Sequence, residues 1–157
     1  MVVSYDEFTS VFLDKIREYE FLSMEVEVRT DIIDGYMIRA FTEFKKNCHY
    51  NFLGTADDTE RQFDFSNEPQ DVQDKLADDL SEIVNIVTDG MCLQWMKPYK
   101  NNQEILENVL NTRDFTLYSP SELLKQVRTT YKELSNEYKQ EIREYSYNHM
   151  DLEELHV

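Results

Sequence analysis

Residues 119–147 read SPSELLKQVRTTYKELSNEYKQEIREYSY, and this run sets the class of fold. It opens with Ser119-Pro120-Ser121-Glu122, three helix-start signals in register. Ser119 can accept a bond from a free first-turn N–H, Pro120 sits where no N–H is needed, and Glu122 can reach back to close a capping box. Behind the cap, Leu124, Val127, Tyr131, Leu134, Tyr138, Ile142 and Tyr145 recur at steps of three and four. Such steps place all of them on one stripe of a helix of about eight turns. Lys125, Arg128, Lys132, Lys139, Glu141 and Glu144 fall elsewhere on its surface. An apolar stripe of this length needs cover. Leu124, Val127, Tyr131, Leu134 and Tyr138 are therefore expected to be largely buried, within the subunit or against a neighbouring one, with this helix as the spine of the domain.

Further helices precede it. Ser4 with Glu7 three residues on forms a second capping box, and Phe8, Val11, Phe12, Ile16 and Tyr19 make one face of a helix over about 4–20. Phe21-Leu22-Ser23-Met24 reads as a short apolar elbow. Over about 30–48, Ile33, Tyr36, Met37, Ala40, Phe41, Phe44 and Cys48 share a face, with Lys45 and Lys46 suited to the negative pole of that helix. Gly35 weakens its middle by up to about 1 kcal/mol relative to Ala. A third long helix is expected over about 78–96, built on Leu80, Ile83, Val84, Val87, Met91, Leu93 and Trp95 and stopped by Pro98. A short helix over 102–110, a turn over 111–114 and an extended run over 115–118 then lead into the capped helix.

With only three Gly and three Pro in 157 residues, the composition favours helix over a β-sandwich or a Gly-rich nucleotide fold. The expected architecture is one all-α domain. It is a bundle of four to five helices with a long C-terminal helix, an acidic irregular insertion at 49–77, and an extended tail at 148–157 following a body of 1–147. Within the insertion helical periodicity lapses, Gly54 and Pro69 appear, and Phe63-Asp64-Phe65 alternates as a short strand would.

Charge narrows the function. The chain holds 16 basic and 32 acidic residues, a net charge of −16. That excludes a surface that binds nucleic acid by neutralising phosphates. Between Asp57 and Glu82 stand ten acids against Arg61 and Lys75, a local −8 and half of the total. This segment reads either as a solvated, partly mobile loop or as a surface that repels something anionic.

Chemistry is sparse. No GxSxG, P-loop, HExxH or EF-hand pattern is present. Cys48 and Cys92 lie far apart without CxxC spacing and read as buried reduced thiols. His49, His149 and His156 lie outside the helix cores, and Cys48-His49 with His149 has no metal-ligand spacing. Asp71, Asp74 and Asp78 recur at helical steps and read as a charged face rather than a cation site. The ten Tyr and nine Phe fall mostly on helix stripes, and the charge has the wrong sign for base stacking on nucleic acid. No enzyme activity, cofactor or metal is expected. No apolar run is long enough to span a bilayer and no leader pattern opens the chain, so a soluble cytoplasmic product is expected. Assembly remains: Tyr147, Met150, Leu152, Leu155 and Val157 are apolar anchors spaced along the tail, which reads equally as a docking segment or a frayed terminus.

Four stretches resemble a family. They are Asp34-Gly35-Tyr36-Met37-Ile38-Arg39-Ala40-Phe41-Thr42-Glu43-Phe44-Lys45-Lys46-Asn47-Cys48, Val87-Thr88-Asp89-Gly90-Met91, Tyr118-Ser119-Pro120-Ser121-Glu122-Leu123-Leu124-Lys125, and the ending from Glu144 through Tyr147 and Leu152 to Val157. Together these soft motifs resemble the head–tail connector, or neck, proteins of tailed bacteriophages. The mostly helical composition favours the adaptor that stacks beneath the portal. The resemblance implies a homo-oligomeric ring, typically of about twelve copies, joining the portal protein to the next neck or tail protein. It implies a virion location after assembly in the host cytoplasm, with the tail (Tyr147, Met150, Leu152, Leu155, Val157) reaching the portal. DNA would pass through such a ring without specific binding, and Asp57, Asp58, Glu60, Asp64 and Glu68 are the candidate channel-facing acids. No membrane partner is implied. The alternative is a small acidic soluble regulator, such as a DNA-mimicking inhibitor, and the same acidic segment motivates it.

Overall fold

Ser4 ends a strand and caps a helix at once: its Oγ accepts from the Asp6 N–H at 3.2 Å, the N-cap bond expected of that position. The computed structural model describes residues 1–16, 24–48, 54–101 and 120–149. Its elements in order are β1 (Val2–Ser4), α1 (Tyr5–Ile16), α2 (Val26–Asn47), β2 (Thr55–Asp57), β3 (Gln62–Asp64), α3 (Gln70–Asp78), α4 (Leu80–Asn101) and α5 (Pro120–Asn148). Helix accounts for 78% of the described residues, so three short strands leave the all-α class unchanged. The last turn expected of the first helix at 17–20, the elbow at 21–23, His49 and the start of the insertion to 53 lie outside the described residues. So do the short helix at 102–110, the turn at 111–114, the extended run at 115–118, Ser119 and the tail from Met150.

α4, not α5, is the helix on which the others pack. α1, α2 and α5 all lie against it. Ile83, Val84, Ile86, Val87, Thr88, Gly90, Met91, Leu93 and Gln94 are buried, and their spacing runs around most of the helix. A helix buried around most of its circumference, with a narrow wet strip at Ser81, Glu82 and Asn85, belongs in the middle of a bundle, whereas the one-sided stripe of α5 marks an outer helix. The expectation of a C-terminal spine is corrected accordingly. Along α5, Tyr138, Ile142 and Tyr145 are buried, while Leu124, Val127 and Tyr131 are half-buried and Leu134 is 36% exposed. Only the C-terminal half of the stripe meets α4 and α2 as core.

Pro98 does not stop the third long helix. It lies inside α4, exposed, with Asn101 closing the helix three residues later. A proline removes one N–H and crowds the preceding turn, and so close to a helix end little backbone remains to be disrupted.

The acidic insertion carries regular structure. β3 is the middle strand of a three-stranded antiparallel sheet in the order β1-β3-β2, with Phe63 opposite both Val3 and Ala56. Phe63 is fully buried and stacks on Phe41 of α2 at 4.1 Å, with Tyr5 at 4.8 Å and Phe8 at 5.4 Å. These aromatic contacts, each worth about 0.5–1.5 kcal/mol beyond area burial, pin the sheet to the α1–α2 end of the bundle. Leu76 does the same for α3.

Candidate functional site

The hairpin between β2 and β3 presents the acids. Its turn is built by Asp57, whose Oδ1 accepts from the N–H groups of Thr59 at 3.0 Å and Glu60 at 3.2 Å. Arg61 then adopts φ 50°, the left-handed conformation that reverses the chain, and its carbonyl accepts from the Tyr5 N–H at 2.9 Å. Its guanidinium grips Asp34 of α2 through two parallel bonds, Nε to Oδ2 at 2.8 Å and Nη2 to Oδ1 at 2.9 Å, and reaches Asp6 of α1 at 3.0 Å. Those carboxylates hold the guanidinium more firmly charged than usual.

Four of the five candidate channel-facing acids reach solvent. Asp58 and Glu60 are exposed, and Asp57 and Asp64 are half-exposed. Asp58 accepts the Tyr5 hydroxyl at 3.2 Å, and burial together with that carboxylate pushes the Tyr5 phenol well above its ordinary range. Asp64 accepts from the Ser66 N–H at 2.8 Å, and the Ser66 bonds lower its carboxyl. Glu68 is the exception. It is 7% exposed, in a turn where its N–H donates to the Phe65 carbonyl at 3.0 Å and its own carbonyl accepts from Gln73 Nε2 of α3 at 2.8 Å.

At the far end of α5, Tyr147 is 68% exposed; Met150, Leu152, Leu155 and Val157 lie outside the described residues. Two features escaped the sequence reading. One is a hollow on α5, rich in basic residues, where Lys125, Arg128 and Lys132 line a shallow surface together with Leu124, Thr129, Glu133 and Asn136. Beside it Arg128 Nε donates to the Lys100 carbonyl at 3.3 Å, and the Lys100 ammonium sits 4.1 Å from the Tyr131 ring centroid. The recurrence of Lys125, Arg128 and Lys132 at steps of three and four, which puts their charges on one face, was the available signal.

The other joins distant parts of the chain. His149, one residue beyond α5, meets Asp79 and Glu82 at the α3–α4 corner, and one ligand atom from each lies within 4.8 Å of the others. Sequence spacing supports no site joining His149 to Cys48 and His49, and gives no reason to join it to acids so far back along the chain. Cys48 is buried and Cys92 half-buried, both as free thiols, and burial pushes the Cys92 thiol up to about 11, far from a ready thiolate.

No helix among the described residues is long and apolar enough to cross a membrane. Comparison with known protein families, with curated proteins and with solved structures gives no match.

Proposed function

We propose that this chain is a structural subunit of a tailed-phage neck, a connector ring that joins the portal to the tail and helps line the route of the DNA. The observation that carries this reading is the separation of its charge. The segment from the docked hairpin through α3 to the first turn of α4 concentrates −8 between Asp57 and Glu82, while Lys125, Arg128 and Lys132, with Glu133 beside them, gather on the outer helix. Repeated around an axis, exposed Asp58 and Glu60 would repel phosphates from a channel wall. The half-covered stripe of Leu124, Val127, Tyr131 and Leu134 would be the surface that adjacent subunits bury. The resemblance of the four stretches and the mostly helical body support the same reading, and Tyr147 would begin the portal-docking tail.

The test is electron microscopy of the full chain co-expressed with its portal, beside a form lacking residues 150–157. Rings of about twelve copies seated on the portal are expected, with attachment lost and helical content kept in the truncated form. A monomer at every concentration that elutes apart from the portal overturns the reading. A monomer that instead binds a basic nuclease or repressor establishes the regulator alternative.

A further inference from the structure

We propose that Asp79, Glu82 and His149 form a binding site for one divalent transition-metal ion, Zn2+ above all. This inference stands apart from the neck reading and survives its failure.

Three observations converge. The residues come from two separate parts of the chain, the corner between α3 and α4 and the end of α5, yet their ligand atoms fall within 4.8 Å of one another. The imidazole is oriented from outside the cluster: its Nδ1 lies 2.7 Å from the Tyr145 carbonyl and its ring stacks on Tyr145 at 4.1 Å. A backbone carbonyl can only accept, so Nδ1 carries the proton and Nε2 is turned toward the carboxylates, the second-sphere arrangement that fixes ligating histidines. Nε2 then stands 2.8 Å from Asp79 Oδ2. Finally, Glu82 has no lysine or arginine partner among the described residues, so its carboxylate is free to turn inward.

The fit requires little movement. Metal–ligand bonds of about 2.0–2.2 Å in a tetrahedron separate ligand atoms by about 3.3 Å. Asp79 and His149 would therefore open by about half an ångström while exposed Glu82 closes, and water would take the fourth position. One imidazole with two carboxylates suits a borderline ion such as Zn2+ over Mg2+ or Ca2+, which favour all-oxygen sets. Without metal, the same contact is a His149–Asp79 ion pair only when the ring is protonated; binding replaces that second proton with the cation. The ion would tie the end of α5 to the α3–α4 corner.

The experiment is isothermal titration of the full, untagged chain with ZnCl2, MgCl2 and CaCl2 in a non-chelating buffer, with Co2+ absorption as a second readout. One Zn2+ per chain is expected, with Mg2+ and Ca2+ giving no comparable heat. His149→Ala and Asp79→Asn should each weaken binding at least about tenfold, and Glu82→Gln, at an exposed position, should weaken it with the fold unchanged by circular dichroism. Co2+ should give ligand-field bands that disappear in His149→Ala. Absence of stoichiometric uptake, or uptake that all three substitutions leave unchanged, overturns the site and leaves an ion pair only.

Discussion

The Tyr138 hydroxyl on α5 donates to the Ala40 carbonyl on α2 at 3.2 Å, across 98 positions of sequence. Gly90 of α4 makes this meeting possible. A Cβ there would stand 2.7 Å from the Tyr138 oxygen and 3.0 Å from Ala40 Cβ. Three helices thus converge on a point where one of them has no side chain. Burial, chiefly, drives the Tyr138 phenol well above its ordinary range, so it serves here as a donor at any pH the fold survives.

Gly90→Ala should therefore destabilise the protein although alanine is the better helix former. Overpacking costs about 1–3 kcal/mol and the propensity gain returns about 1 kcal/mol at most. Tyr138→Phe should cost about 1 kcal/mol through the lost bond alone. Gly35→Ala should do the opposite: its Cβ would meet only the flexible end of Arg39, at 3.5 Å, so a gain of about 0.5–1 kcal/mol is expected. Urea unfolding of the three variants checks all three signs.

Truncations along α5 should divide the helix in two. Ile142→Ala removes a side chain that is 1% exposed, and a loss of about 2–5 kcal/mol is expected. Leu134, at 36% exposure, should lose under about 1 kcal/mol on truncation to Ala in the isolated chain. The same Leu134→Ala change should weaken self-association if the stripe is covered by a neighbouring subunit, which sedimentation velocity would read.

That contrast marks what could be read from sequence. Period and capping located α1, α2, α4 and α5, because each is long enough for its apolar steps to stand out. They ranked the helices wrongly: the cleanest stripe belongs to outer α5, while central α4 blurs its own pattern by being apolar on most sides. β1 escaped because Val2–Ser4 is only three residues long and pairs with a strand that lies beyond both α1 and α2 in the chain. The alternation at Phe63 was visible, but not that its ring docks on Phe41. The cluster of His149 with Asp79 and Glu82 left no local spacing to find, since its geometry depends on how α5 packs against α4.

Arg61 offers a test of the hairpin. Its backbone adopts φ 50° while its side chain holds Asp34 and Asp6. Arg61→Ala loses the ion pairs and keeps the strained conformation; Arg61→Gly loses the ion pairs and relieves it. The glycine variant should be the more stable of the two by about 1 kcal/mol. In a double-mutant cycle with Asp34→Asn, the coupling should be positive and near 1 kcal/mol, because Asp34 is mostly shielded and the bond is bidentate. Thermal and chemical unfolding of the parent, Arg61→Ala, Arg61→Gly, Asp34→Asn and the Arg61→Ala/Asp34→Asn double variant give both numbers.

Glu141 gives the pH test. It lies on α5 with one carboxylate oxygen buried and without a hydrogen-bond partner among the described residues. Burial, and then the charge of Asp89, raise its carboxyl above the ordinary value; Lys15, bonded to Asp89 at 2.8 Å, opposes this in part. The folded state therefore binds this proton more tightly than the unfolded state does. Its contribution is complete below the unfolded glutamate value of about 4.3 and is lost as pH rises through the raised folded value. Glu141→Gln, which keeps the neutral shape, should stabilise the protein at pH 7 by a few tenths of a kcal/mol, about the size expected of a partly screened charge. The difference in stability between the variant and the parent should shrink as pH falls toward 4, while carboxylates that do not interact with position 141 titrate alike in both and cancel. Urea midpoints measured at intervals from pH 4 to about 8 check this, and a difference independent of pH would remove Glu141 from the account.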